Sequence, residues 1–426
     1  MPFKSIIALV ALVAVGFAFF ALAIDNGFWH GEDFLALEHS LRMQEGSIGI
    51  FESGPPYKFQ PLVYGIYYLL FNHAQFNTQF YFIFNILLHG FNSFLVYLLV
   101  NTLLKDRTVA LFSGFLFVFT VGSYGKSVMI VSGLEDLVIT TLTLLTMYFY
   151  FKNELDAEGK LHSHWFFLTL IFFIASMLTR STSLSIIGAF LAFNLFFRGR
   201  GNRRIFRPDF FVLLAIAVAA LIIKTTVFHY TPLFYTRDPG VARYIYYALK
   251  NIINYLVRMI FPIHTTNLVA EAGAAVRFVY SFATEIRVLL ALTVLSYSVF
   301  GFVFGNRTIR FFIAWTYIMV LPFAFFQFPN DWLNIRHLYL VSVGFIMVIS
   351  AGAVYCSRLI ASHRWRRLVP ILVPVFFVIL ARFIVTQLDG SYELKAKSPK
   401  AGYYREDLAR KFQRVVVEDG QLRIVE

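Results

Sequence analysis

Apolar residues fall along this chain in long runs, with polar residues gathered into the gaps between them. An α-helix needs roughly 20 apolar residues to cross a bilayer, within a range of about 17–25. Runs of that kind occur at 5–24, 79–104, 108–124, 133–152, 164–179, 182–197, 209–228, 286–305, 309–327, 338–356 and 369–386, eleven in all. Two of them, 164–179 and 182–197, are short, and Arg180 interrupts them, which predicts a tight hairpin at the membrane edge. The opening "MPFKSIIALVALVAVGFAFFALAI" carries one positive side chain before its apolar run. A signal peptide has a shorter core and an A-x-A-like cleavage site. The following "DNGFWHGED" lacks that site, so the segment reads as an uncleaved first transmembrane helix with its amino end inside.

Two predicted outer segments are longer than turns. In 25–78, "QPLVYGIYYLLF" is apolar but short, and it reads as lying along the interface. In 229–285, "YIYYALKNIINYLVRMIFP" fits either an interfacial helix or one arm of an extra hairpin. The tail, 387–426, is polar. "YYREDLARKFQRVV" has helical spacing, and "VVVEDGQLRIV" reads as two strands about an Asp-Gly turn. The expected division is a transmembrane unit, 1–386, followed by a small extracytoplasmic tail.

Composition sharpens this picture. The 426 residues are 58% hydrophobic and only 14% charged, with 51 Phe. A soluble domain is nearer 45–50% apolar and about 25% charged, so the chain is a polytopic integral membrane protein. Its net charge of +13 matters through its placement. The predicted inner loops hold Lys105, Arg107, Lys152, Lys160, the cluster Arg198–Arg207, Arg307, Arg310 and the cluster Arg358–Arg367. The short outer loops hold little beyond Lys126, Arg180 and Arg336. This is the positive-inside asymmetry, with an inner amino end and an outer carboxyl end. No soluble element carries a basic face with interleaved aromatics, so nucleic acid is set aside. Cys356 is the single cysteine and forms no internal disulfide.

Against this background the acids stand out. "GEDFLALEHS" at 31–40 places Glu32 and Asp33 just beyond the first helix, and "VSGLEDLVIT" places Glu135 and Asp136 at the same predicted face. The sparse cations Lys126, Arg180 and Arg336 share that face. Acids with a few cations at one bilayer edge suit sugar transfer from a lipid phosphate. A carboxylate accepts the proton of the attacking hydroxyl as the anomeric carbon becomes oxocarbenium-like. A cation holds the departing phosphate. His89, in mid-helix, reads as a helix–helix hydrogen-bonding residue or a substrate contact. No metal-ligand spacing appears, although the acidic pairs leave a divalent cation possible.

"FNILLHGFNSFLVYLLVNTLL" at 84–104 resembles the second-helix signature of the transmembrane O-mannosyltransferases with tetratricopeptide tails, through Asn85, His89, Asn92 and Ser93. That family has an acidic pair after its first helix, matched here by Glu32-Asp33. Further matches follow in order. "QPL" has Gln60 for an Arg, "GLEDL" keeps Gly133 and Asp136, and "TRST" keeps Arg180. "IRHLYLVSVG" keeps Arg336, Tyr339, Ser342 and Gly344. The likeness runs from about residue 5 to residue 356, lacks the tetratricopeptide tail, and extends to the wider GT-C superfamily of polyprenyl-phosphate-sugar-dependent transferases. It implies an all-α bundle of about 11 transmembrane helices and a catalytic carboxylate at Asp33, with Glu32 beside it.

The expectation is therefore a membrane glycosyltransferase. Asp33 is its general base and Glu32 or Asp136 assists. Glu135, Arg336, Lys126, Arg180, His89 and Tyr339 complete the substrate site. A polyprenyl-phosphate sugar is the donor, and a protein, glycan or lipid hydroxyl is the acceptor. The rivals are a flippase for lipid-linked sugars, which would line a mid-membrane path with ionisable groups, an O-antigen-type polymerase or ligase, using Arg237, Arg243 and His264, and a non-catalytic scaffold docking through the tail.

Overall fold

The computed structural model describes residues 3–52, 58–120, 127–156, 160–198, 205–228, 241–260, 283–324, 335–359 and 395–425, with scattered positions between 371 and 389. Its helices are α1 (Phe3–Phe20), α2 (Gly31–Gln44), α3 (Pro61–Ala74), α4 (Thr78–Leu104), α5 (Arg107–Phe119), α6 (Leu134–Asp156), α7 (His164–Met177), α8 (Ser185–Arg198), α9 (Pro208–Thr226), α10 (Val241–Ile260), α11 (Ala283–Phe304), α12 (Arg307–Ala324), α13 (Leu338–Leu359) and α14 (Pro399–Lys411). Ten of the eleven predicted runs coincide with helices in this series. The eleventh, 369–386, lies mostly outside the described residues. Among the described residues five helical stretches are long and apolar enough to cross a membrane, and four shorter apolar helices accompany them.

Local chemistry sets the boundaries. Asp106 closes the gap between α4 and α5 by accepting the N–H groups of Thr108 and Val109 at the start of α5. Lys105 ends α4 in the left-handed region, with φ 53°. Ser163 caps α7 and Pro208 opens α9. The bundle centres on α4, which packs against α1, α5 and α6, while α12 packs against α8 and α13. Small residues allow close approach, as expected where lipid replaces water around helices. A Cβ on Gly90 would lie 2.7 Å from the Val13 backbone, so α1 and α4 touch there.

The first long segment folds into α2 and α3. In the second, α10 buries Tyr255, Leu256 and Met259 and leaves Ile245, Tyr246 and Leu249 exposed. It packs on α12. In the tail, α14 leads into an antiparallel hairpin of β1 (Val415–Glu418) and β2 (Gln421–Ile424). Asp419 and Gly420 both have positive φ, as a two-residue turn between twisted strands requires. The tail lies across α2: Lys411 reaches Glu38 at 3.0 Å, and Tyr404 stacks on Phe34.

Candidate functional site

Five chain segments bring charge to one end of the bundle. The first turn of α2 supplies Glu32 and Asp33, and the first turn of α6 supplies Glu135 and Asp136. Acids at helix amino ends meet the positive pole of the helix dipole. Lys58 precedes α3, Arg180 lies between α7 and α8, and Arg336 sits in the single helical turn Ile335–His337 ahead of α13.

Six of these side chains alternate in sign and interlock. Arg336 reaches Glu32 at 2.7 Å and Asp136 at 2.9 Å. Arg180 reaches Asp136 at 3.0 Å and Glu135 at 3.4 Å. Lys58 reaches Glu32 at 3.0 Å and Glu135 at 3.5 Å. Arg336 is 2% exposed, whereas the Glu32 side chain keeps 31% exposure. Burial works against the Glu32 carboxylate, but Arg336, Lys58 and His30 outweigh it and hold its pKa well below the usual carboxylate range. Burial likewise works against the Lys58 ammonium, and Glu135 and Glu32 more than restore it.

Two cavities border this network. One of about 620 Å³ lies between α2 and α14, with Trp29, Glu32, Lys400 and Tyr404 among its walls. A small one of about 30 Å³ is lined by Glu32, Lys58, Tyr64, Tyr67 and Glu135. Glu32 borders both.

Asp33, the expected base, is turned into the protein. It is completely buried and lines neither cavity. Its carboxylate accepts the backbone N–H of Ser132 at 2.7 Å, of His30 at 3.1 Å and of Trp29 at 3.4 Å. Asp33 thus closes a capping box at the start of α2 and ties α2 to the turn before α6. Burial pushes its pKa up, against the lowering pull of His30 and Ser132. The cavity-facing member of the pair is Glu32.

His89 and Tyr339 are brought together, but in the core. His89 Nε2 faces the Val118 carbonyl at 3.3 Å and so carries the proton, leaving Nδ1 to accept from the Tyr339 hydroxyl at 2.7 Å. Asn92 donates to Tyr339 and to the Leu137 carbonyl, and Asn85 donates to the Ile130 carbonyl. These residues clamp α4 to α6 and α13 and line neither of the two cavities. Lys126, Arg237 and His264, together with the Arg243 side chain, lie outside the described residues. Among the described residues no group of His, Cys, Asp or Glu is arranged to hold a metal ion.

Sequence reasoning missed Lys58 and His337. Lys58 is one of two cations among the acids of 25–78, and that imbalance was its signal. His337 adjoins Arg336, yet nothing in its spacing foretold its partners.

No protein-family model matches the chain, and no curated protein matches it in sequence. Two solved structures are similar. One is the archaeal oligosaccharyltransferase AglB from Archaeoglobus fulgidus, in complex with an inhibitory peptide and a dolichol-phosphate. It is 12% identical at TM-score 0.52, over 92% of this chain and 56% of AglB, so this chain spans just over half that protein's length. The other is ArnT from Cupriavidus metallidurans bound to undecaprenyl phosphate, 11% identical at TM-score 0.51, over 98% of this chain and 82% of ArnT. Both are GT-C superfamily membrane glycosyltransferases, and the likeness shows that this chain has the GT-C fold.

Proposed function

Proceeding from that fold, we propose that the chain is a membrane glycosyltransferase. It transfers a sugar from a polyprenyl-phosphate donor to an acceptor hydroxyl at the outer face of the bilayer. The observation that carries this reading is the alternation of Arg336, Arg180 and Lys58 with Glu32, Glu135 and Asp136 at one end of an apolar bundle, with Glu32 and Lys58 partly exposed and the other four largely buried. Buried ion pairs gain little net stability against apolar packing, so a network this dense suits a polar ligand for which its cations can exchange partners. The two similar structures hold dolichol-phosphate and undecaprenyl phosphate, which supports a lipid phosphate as that ligand.

The proposed chemistry is a direct displacement. The acceptor oxygen bonds to the anomeric carbon as the bond from that carbon to the phosphate oxygen breaks, inverting the centre. Arg336, Arg180 and Lys58 balance the charge left on the phosphate. Glu32 accepts the hydroxyl proton. It is ionised in the resting site because Arg336 and Lys58 hold its pKa down. A phosphate drawing those cations away raises its proton affinity as the acceptor arrives. Asp136 aligns both guanidinium groups, and Asp33 holds α2 in place. The basic residues Lys105, Arg107, Arg198, Arg207 and Arg358 flank helix ends distant in sequence from the site's turns, and positive-inside placement turns the ion cluster outward.

A flippase would carry its ionisable groups along a path through the bilayer. The linked charges of this cluster gather instead at helix starts. The test is the intact mass of outer-face proteins and glycans from cells with and without the gene. A difference of one sugar residue identifies both donor and acceptor, whereas identical masses overturn the reading.

A further inference from the structure

Arg180 is held by more than its acids. Its Nη2 lies 3.2 Å from His337 Nε2, and the other ring nitrogen of His337, Nδ1, lies 3.1 Å from the Tyr255 hydroxyl. The direction of this chain is fixed by chemistry. A guanidinium has only N–H groups to offer, so Nε2 accepts. The proton of a neutral imidazole then sits on Nδ1 and is donated to the Tyr255 oxygen. The ring is stacked on Phe323 at 4.3 Å between centroids, with an interplanar angle of 11°. The same Phe323 ring lies 5.7 Å from the guanidinium carbon of Arg180. His337 is 6% exposed and Tyr255 is fully buried. Burial, followed by the charges of Arg180 and Arg336, disfavours protonation of His337, in keeping with an acceptor role toward Arg180.

Tyr255 is the far anchor. It belongs to α10, an amphipathic helix whose Asn251 also donates to the Ala324 carbonyl at the end of α12, at 2.9 Å. Helix α10 is thus pinned to the helix that supplies Phe323, and it presents one hydroxyl to the imidazole. A phosphate ligand competes with Glu135 and Asp136 for Arg180. Once those pairs loosen, a long side chain with several rotatable bonds would lose its aim unless other contacts kept it. The His337 edge and the Phe323 face are the contacts that do not compete with an anion.

We infer that His337, oriented by Tyr255 of α10, is a positioning residue that keeps Arg180 aimed at the donor phosphate when its carboxylate partners are displaced. This rests on the reading of the cluster as a lipid-phosphate site. It assigns to α10 a part in donor binding that its sequence does not announce.

The test titrates undecaprenyl phosphate against the full-length protein in nanodiscs, for wild type and for His337→Leu, His337→Gln, Tyr255→Phe, Arg180→Gln and Arg336→Gln. Gln at 337 offers an oxygen to Arg180 and an N–H to Tyr255, whereas Leu offers neither. A hydrogen bond to a charged group corresponds to roughly tenfold in affinity. The expected result is a Kd about tenfold weaker for His337→Leu, near wild type for His337→Gln, and several-fold weaker for Tyr255→Phe. A purely structural role would lower the melting temperature of His337→Leu without this split between Leu and Gln. If His337→Leu does not fold, Tyr255→Phe, which keeps the ring and its packing, decides. Wild-type affinity in His337→Leu, or in Tyr255→Phe where that decides, overturns the inference, and so does wild-type affinity in Arg180→Gln. Wild-type affinity in both arginine variants overturns the phosphate reading itself, and the inference with it.

Discussion

Replacing Glu32 by Gln separates chemistry from architecture. Glu32 accepts from Lys58 at 3.0 Å and forms an ion pair with Arg336 at 2.7 Å, and its side chain is 31% exposed. Gln has the same shape and keeps a carbonyl oxygen for one of those cations. Arg336 keeps Asp136 and Lys58 keeps Glu135, so the stability cost stays below the roughly 3–5 kcal/mol of a wholly broken buried pair. Loss of a general base removes roughly 10²–10⁴-fold in rate, which is about 2.7–5.5 kcal/mol of barrier. Asp33→Asn makes the opposite trade. Asp33 is fully buried and accepts three backbone N–H groups, so an amide NH₂ turned toward donors costs about 1–3 kcal/mol of stability. Turnover per folded molecule then falls less than about tenfold, on the same general-base scale. The assay is release of undecaprenyl phosphate from a panel of undecaprenyl-phosphate sugars by the nanodisc-reconstituted protein, read by mass spectrometry beside a thermal melt. Full turnover in Glu32→Gln, or a stable but inactive Asp33→Asn, would refute the assignment of Glu32 over Asp33.

Arg336→Gln leaves Asp136 with Arg180 and Glu32 with Lys58, so the cost is below the roughly 3–5 kcal/mol of a wholly broken buried pair, about 2 kcal/mol. Undecaprenyl phosphate should raise the melting temperature of wild type and not of this variant. Gly90→Leu places atoms against the Val13 backbone and should destabilise by about 1–3 kcal/mol or more through overpacking of α1 on α4, seen as a lower melting temperature. His39 is buried against Tyr64, and burial depresses its pKa to about 4. The unfolded chain therefore takes up the proton first as pH falls from about 6.5. Its stabilising share is complete above that value and is lost toward pH 4. His39→Phe, which keeps the stack on Tyr64, should flatten the acid side of a melting-temperature profile.

Much of the bundle was legible because crossing a bilayer imposes length and apolarity on a helix, and both are visible residue by residue. The acidic pairs and Arg336 and Arg180 were legible for the same reason, as rare charges at helix ends. The division of labour within Glu32-Asp33 was not. Adjacent residues in a first helical turn point in different directions, and the contact that claims Asp33, the Ser132 N–H, is 99 residues away in sequence. His89 and Asn92 carried a family-like pattern, but the physical meaning of that pattern is a clamp onto Tyr339 and the Leu137 carbonyl. Lys58 and the His337–Tyr255 link depend on loops and on α10 folding back over the site, which no local period records.

The most direct measurement is an experimental structure of the chain with undecaprenyl phosphate. The phosphate is expected within roughly 3 Å of the Arg336 guanidinium, with Arg180 or Lys58 as a second partner and Glu32 released toward the cavity between α2 and α14. A lipid phosphate bound elsewhere, with the pairs from Arg336 to Glu32 and Asp136 intact, would contradict that placement.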